Sequence, residues 1–322
     1  MRGSSSKSMM GVAALDPSYG ILIQAKESDA MYVESEIFHR FDPAIPAVPV
    51  LVDVSRSGRL YPADFRSPVP FTTLHDNVSM YVDEIWKESP RYGATLLQAL
   101  FPNTYIDTNR HELDIDPSLL AEPWPVPLEF VSKTGLGLLK TVSRYGEPMQ
   151  EKKFTVAEVT ARLDGYYRPY HREFAACLDR MQRAHGFYYN LSCHCMSAVG
   201  APTHADAGKE RMDFCIGNLK GTTSTTEFIE FVAATIRAAG FTCSVNTPYS
   251  GGEINRLYGD TGGNRESIMV EINKKKFMDV ATFRRNDGFA AIQDVAAKVL
   301  EAVARRARDR IAAQAATAQS SR

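Results

Sequence analysis

Phe187-Tyr188-Tyr189-Asn190-Leu191-Ser192-Cys193-His194-Cys195-Met196 is the stretch whose reading decides the fold. Its aromatic start and apolar content read as a strand, and Gly200 and Pro202 break the chain soon afterwards. The run closes on a histidine flanked by two thiols. In an α/β protein, side chains placed where a strand stops are accessible yet held by a rigid sheet. His194 is therefore the first candidate for chemistry, and a core histidine at a strand end is the competing reading.

Working outward, Thr155 to His185 reads as a long helical region, bent near Pro169, that feeds this strand. Earlier, Val48-Pro49-Val50-Leu51-Val52-Asp53-Val54 is a β-branched run typical of a buried strand, ended by a Ser, Gly and Pro-containing loop over 55–62. Gly20 to Ala25 predicts a short strand, and Met31 to Phe41 a short element of ambiguous type. Asn77 to Trp86 has helical spacing, with Val78, Val82 and Ile85 apolar and Asp83 and Glu84 outward. Tyr92 to Leu100 is read as a second helix. Tyr105-Ile106-Asp107 is read as a strand leading into Thr108-Asn109-Arg110-His111. Asp114 to Pro148 is rich in Pro and Gly, and so long an irregular stretch suggests a functional covering segment. Gly135-Leu136-Gly137 within it is a two-glycine turn, since no strand and helix start frame it as a dinucleotide fingerprint.

Downstream, strands are predicted at Asp213–Ile216, Phe241–Asn246 and Ser267–Asn273, with a helix over Thr226–Ala239 stopped by Gly240. Phe289 to Ala316 closes the chain as an Ala-rich helix. The alternation predicts an α/β fold with a mixed, mainly parallel central sheet flanked by helices. The expected organisation is a loose leader over 1–20, one domain over 21–316 and a frayed tail over 317–322.

Composition bounds the function. With 44% hydrophobic and 23% charged residues the chain is ordinary for a soluble globular protein. A net charge of −1 argues against a broad electrostatic footprint for nucleic acid or an anionic membrane. No apolar run reaches the roughly 20 residues a membrane span needs, and Met1-Arg2-Gly3-Ser4-Ser5-Ser6 lacks the apolar region of a signal peptide. Five scattered cysteines point to reduced thiols and a cytoplasmic setting. Cys193-His194-Cys195 does not make a zinc trio, because alternate residues of a strand face opposite ways.

Several residues carry candidate chemistry. Arg110, directly after Asn109 at a predicted strand end, suits bidentate binding of a substrate carboxylate; the alternative is an ion pair with Asp107, Glu112 or Asp114. Glu271 sits inside the apolar run Ile268-Met269-Val270-Glu271-Ile272, where a carboxylate is costly unless paired or functional. The alternative there is an outward position on an edge strand. Pro248-Tyr249-Ser250-Gly251-Gly252 places a phenol on a loop, or is a plain turn. His39-x-x-Asp42 and His111-x-x-Asp114 have two-ligand spacing of a kind that arises by chance, and His171 reads as a packing residue.

In order along the chain these pieces resemble the N-formylglutamate amidohydrolase family, a group related in fold to zinc carboxypeptidases. Val50-Leu51-Val52-Asp53 with Ser57-Gly58-Arg59-x-Tyr61-Pro62 is similar to the opening strand and metal loop. Val82-Asp83-Glu84, Gly93-Ala94-x-Leu96-Leu97, Asp107-x-Asn109-Arg110 and Glu112-Leu113-Asp114 follow, then Gly135-Leu136-Gly137 and Tyr167-x-Pro169-Tyr170-His171. His194-x-Met196, Asp213-x-x-x-Gly217-Asn218, Asn246-x-Pro248-Tyr249-x-Gly251-Gly252 and Glu271-Ile272-Asn273 complete the set. The resemblance covers roughly residues 48 to 300.

It implies metal-assisted hydrolysis of a formamide to formate and an amino acid such as glutamate, as in histidine degradation, with zinc polarising the carbonyl and activating water. Glu271 would be general base, Asn109 and Arg110 would hold the substrate carboxylate, Tyr249, Gly251 and Gly252 would line the substrate site, and His194 would bind zinc. Two departures stand against that scheme. The family loop reads Pro-His-Ser-Gly with the histidine on zinc, whereas this chain has Ser55-Arg56-Ser57-Gly58. Arginine stays protonated and has no lone pair to offer. The second ligand, an acidic residue three positions before Val82, is here Ser79. A catalytic zinc needs three protein ligands plus water, so zinc binding is in doubt unless Asp76 and His75 repair the site. Two functions stay open: an amidohydrolase for an N-acyl amino acid, with Arg56 stabilising an oxyanion, or a catalytically impaired member that binds an acidic amino-acid derivative.

Overall fold

In a computed structural model the chain is described over residues 36–132, 135–202, 204–262 and 264–320, and before these only as three short strands, Ala14–Asp16, Ile21–Ala25 and Met31–Glu34 (β1 to β3). The rest of the expected leader lies outside the described residues. The run that opened the sequence reading forms β7, Tyr188–Met196, nine residues long, following β4 (Phe38–Phe41), β5 (Val50–Val54) and β6 (Thr95–Ala99). Later come β8 (Phe214–Gly217), β9 (Cys243–Val245) and β10 (Arg265–Asn273).

All strands join one sheet in the order β1-β2-β3-β4-β6-β5-β7-β10-β8-β9. The centre, β6-β5-β7-β10, is parallel, with Asp53 opposite Ser192 and His194 opposite Glu271. β4 adds antiparallel to β6, β8 adds antiparallel to β10, and β9 runs parallel to β8. The sheet is mixed around a parallel centre and flanked by helices, the α/β architecture expected.

The helices are α1 (Phe71–Asp76), α2 (Val82–Ile85), α3 (Val156–Arg162), α4 (Arg168–His185), α5 (Thr226–Ala238), α6 (Glu253–Tyr258) and α7 (Phe289–Ser320). They form two layers, and β5 shows why. Val50, Val52 and Val54 pack in one core with Val232 of α5 and Val299 of α7, while Leu51 packs in the other with Tyr170 and Phe174 of α4. A strand buried on both faces has no polar side and reads as a continuous apolar run. The bend expected near Pro169 is a π-type turn, Leu163–Tyr167, just ahead of it. Pro169 itself falls in the first turn of α4, where a missing N–H costs little.

Three local expectations fail. Thr95–Ala99 is a strand, not part of a helix: Leu96 and Leu97 enter opposite cores, a requirement of a central strand that also mimics a helical apolar cluster. Val78, Val82 and Ile85 are buried as their spacing predicted, but Tyr81 adopts a left-handed φ of 66°, so only Val82–Ile85 is helical. Tyr105-Ile106-Asp107 is a buried turn, with Tyr105 N–H bonded to Pro102 O and Asp107 N–H to Leu138 O, and no strand. The last helix continues past Ala316 to Ser320. Among the described residues no helix is long and apolar enough to cross a membrane, and all five cysteines are free thiols.

Candidate functional site

The C-terminal ends of the parallel strands meet at one edge of the sheet, the place where open α/β sheets hold ligands. Arg56 follows β5, His194 lies near the end of β7 and Glu271 near the end of β10. A cavity of about 160 Å³ opens there, lined by Arg56, Asp76, Asn109, Arg110, Tyr249, Gly251, Gly252 and Glu271. His194, 1% exposed, is buried beside them and bonded to Asn109. Residues named from the sequence as candidates thus converge, together with Lys140, Arg144, His204 and Lys274, which sequence reading passed over.

Arg56 is locked in place. Its Nε and Nη2 donate to Asp107 Oδ1 and Oδ2 at 2.9 and 2.7 Å, a forked pair. Asp107 is fully buried and also accepts from Lys140 Nζ at 2.9 Å and from the Asn109 N–H at 3.0 Å. Burial alone would raise the Asp107 pKa, but Arg56 and Lys140 overcome that and hold it well below the carboxylate range. Burial also draws the Lys140 pKa down to about 8, against the pull of Asp107. Lys140 comes from the long irregular segment, which therefore does cover the site.

Among the described residues Arg110 forms no close ion pair: its Nε donates to Leu136 O and its Nη1 to Asn109 O, both carbonyls, with Asp107, Asp114 and Glu271 acting on its charge from farther off. Asn109 is held by its Oδ1, which accepts the Ile254 N–H at 3.0 Å at the start of α6. This contact explains Gly252: a Cβ there would lie 2.4 Å from Asn109 Oδ1. Gly251, at φ 141°, is confined to backbone that other residues avoid.

Asp76, considered as a substitute metal ligand, is spent on cations. It pairs with Arg144 at 3.2 Å and Lys274 at 3.4 Å and accepts the Tyr145 hydroxyl at 2.6 Å. Burial opposes its ionisation, and Lys274 and Arg144 prevail, lowering its pKa. His75 stacks on Phe71, with its ring centroid 5.3 Å away, and lies outside the cavity lining.

Glu271 lies on an interior strand, 6% exposed, and its Oε2 has no hydrogen-bond partner among the described residues. Burial pushes its pKa up to about 7, against the pull of Arg56, Arg211 and Lys274. Nearby, Tyr249 OH is 3.3 Å from His204 Nδ1, and buried Arg211 lies over the Tyr249 ring at 4.9 Å while forking onto Asp206. The raised Glu271 value carries a stability consequence. The folded chain holds this proton more tightly than the unfolded chain, whose glutamate titrates near 4.5. The Glu271 contribution to stability therefore falls as pH rises from about 4.5 to about 7 and is flat beyond. Glu271→Gln is expected to gain up to about 3 kcal/mol over wild type at pH 8 and nothing at pH 4. Denaturant titrations at the two pH values check this, and a pH-independent difference would count against it.

The positions that family resemblance assigns to zinc do lie together. Ser79 N–H donates to Arg56 O at 2.9 Å, and Ser79 Oγ is 3.4 Å from Cys195 N, next to His194. Their chemistry does not fit the metal. Among the described residues no three His, Cys, Asp or Glu side chains are grouped to hold an ion. One position is a guanidinium, one is a serine, and only His194 has a donor nitrogen. Cys193 packs into the core with α5 and α7, and Cys195, packed against that core, also borders the cavity.

The remaining histidine motifs are structural. His111 pairs with Glu129, and Asp114 caps Val131 and Ser132 N–H groups. Asp42 is taken by Arg40. His171 bridges Tyr258 OH at 3.0 Å and Thr108 O at 2.9 Å, with burial drawing its pKa down to about 4.

Comparison with known proteins agrees with this architecture. The family described as N-formylglutamate amidohydrolase matches residues 48–278. A crystal structure of N-formylglutamate amidohydrolase from Ralstonia eutropha JMP134 superimposes with a TM-score of 0.79 and 33% identity, covering 85% of this chain and 99% of that one. The N-formylglutamate deformylase of Pseudomonas aeruginosa is 26% identical over 276 residues, covering 82% of this chain and 96% of that protein. That of Pseudomonas putida is 24% identical over 238 residues, covering 72% and 82%. A family match over residues 48–278, most of the chain, makes this chain a member of the N-formylglutamate amidohydrolase family.

Proposed function

We propose that this chain binds a small dianionic N-acyl amino acid of the N-formylglutamate kind, and does so without zinc. The observation that carries the reading is Arg56, a fixed cation forked onto buried Asp107, at the position where the family carries a metal-binding histidine. Five cationic side chains, Arg56, Arg110, Lys140, Arg144 and Lys274, stand at the cavity against the carboxylates Asp76, Asp107 and Glu271. Two positive charges are left over. A ligand with two carboxylates neutralises them, and the cavity volume suits a molecule of amino-acid size.

A second reading is supported by Glu271. A carboxylate with its pKa near 7 and an unpartnered oxygen can act as a general base at neutral pH. Arg56 and Arg110 could then steady an oxyanion, but a guanidinium does not lower the pKa of water as zinc does, so turnover by this route is slow.

Calorimetric titration of the chelator-treated chain with N-formyl-L-glutamate separates these readings. Binding is expected to survive chelation and to weaken at least about tenfold in Arg110→Gln, the loss of one charge-assisted contact. Formate release, if any, is expected to be slow and indifferent to added zinc. Binding and ordinary turnover that appear only with zinc would overturn the zinc-free reading.

A further inference from the structure

The loop between β7 and β8 brings a second set of polar groups to the cavity, none of which family resemblance assigns to zinc. The loop folds back on itself, with Gly200 N–H donating to Lys209 O and Gly208 N–H to Gly200 O. Arg211 is its anchor. Its side chain is 1% exposed, it forks onto both oxygens of Asp206 at 2.7 Å, and it donates to Ser197 Oγ at 2.9 Å. Its Nη2 also reaches His204 Nδ1 at 2.9 Å, and Tyr249 OH lies 3.3 Å from the same nitrogen. A guanidinium only donates, so Nδ1 is the acceptor and the ring proton is on Nε2. Burial, Arg211 and Arg144 all act against a second proton, holding the His204 pKa below its usual value. His204 lines the cavity and is only partly buried, and its Nε2 makes no hydrogen bond among the described residues. The ring therefore offers the cavity one N–H.

The charges around the cavity fall into two groups. Those acting on Arg110 are Arg56, Asp107, Asp114 and Glu271, and those acting on His204 are Arg211, Arg144 and Asp206. Glu271 feels members of both, Arg56 and Arg110 as well as Arg211. We propose that His204 is a specificity-determining residue, whose Nε2–H, set by Arg211 and Tyr249 at Nδ1, reads the side-chain carboxylate of the bound N-acyl amino acid while Arg110 holds the α-carboxylate. This rests on the dianion-binding reading and deepens it by giving each carboxylate its own end of the cavity. The N-acyl group between them then faces Glu271. A carboxylate makes a charge-assisted bond to the His204 N–H, roughly twice as strong as the bond of a neutral amide oxygen, so the site favours an acidic side chain over its amide.

The test uses the full, chelator-treated chain and two probes, N-formyl-L-glutamate and N-formyl-L-glutamine, titrated calorimetrically with the weaker ligand measured by competition. Wild type is expected to prefer the glutamate by about tenfold or more. His204→Gln, whose amide nitrogen mimics Nε2, should keep that preference. His204→Asn, whose amide nitrogen mimics Nδ1, should bind the glutamate about tenfold more weakly and lose about fivefold of the preference. This ratio of affinities is insensitive to the fraction of chain that is folded. Long-range proton–nitrogen correlation of the His204 ring is expected to show a pyridine-type Nδ1 and a pyrrole-type Nε2. An equal loss on both ligands in His204→Asn, the reverse order of the two variants, or an Nδ1-protonated ring would each overturn the inference. A wild-type chain that binds neither probe overturns the function reading and this inference together. Binding of both probes without the preference overturns this inference alone.

Discussion

Truncating Asp107 to alanine is expected to lower the free energy of unfolding by about 3–5 kcal/mol, the usual cost of removing one partner from a buried charge pair. Asp107 is 0% exposed and accepts from Arg56, Lys140 and the Asn109 backbone at once. Without it, two cations face each other with no counter-charge. Lys140 already has its pKa drawn down to about 8 while Asp107 is present. In the variant it is expected to lose its proton near neutral pH, so the defect should ease as pH rises. Denaturant unfolding of the two proteins at pH 6 and pH 9 measures this. A loss below about 1 kcal/mol, the range of exposed ion pairs, would mean that the carboxylate does not organise the site.

The second large effect concerns metal. The wild-type chain is expected to purify with sub-stoichiometric zinc, and Arg56→His/Ser79→Asp to bind close to one equivalent. A histidine at position 56 stands beside Asp107, which can accept its second N–H, and an aspartate at 79 is tied to position 56 through the Ser79 N–H to Arg56 O bond. Even an outer partner of a metal ligand is worth ten- to a hundredfold in affinity. Installing two ligands should therefore raise zinc affinity at least about a hundredfold. Elemental analysis and competition with a chromogenic chelator give the numbers. Full occupancy in the wild type would sink the lost-site reading, and a double variant that binds no metal would sink the assignment of these positions.

How much of this was legible beforehand depends on how local each determinant is. The long runs at β7 and β10, the helix α5 with Gly240 after it, and the buried β5 were readable because hydrophobic pattern and turn residues act over a few positions. β6 resembles a helix in sequence because Thr95–Ala99 faces two cores and lacks the alternation that marks a strand. The break at Tyr81 was invisible, since nothing in its type announces a left-handed φ. Glu271 could be singled out because a carboxylate inside an apolar strand is anomalous by itself. Lys274 and Lys140 could not. A lysine after a strand and a lysine in a loop look exposed in sequence, and both are buried, at 3% and 4% exposure, by partners 198 and 33 residues away.

The sequence by itself determined the family, the α/β class and the replacement of two expected metal donors, because an arginine has no lone pair to offer and Ser79 carries no carboxylate. It could not say what took their place. Only the tertiary structure decided that Arg56 is neutralised in part by Asp107, that Asp76 is consumed by Lys274 and Arg144, and that Asn109 lies between His194 and the start of α6. Each is a question of which charge or hydrogen-bond donor lies within about 3 Å of another. Such distances are fixed by strand order and loop closure, not by spacing along the chain.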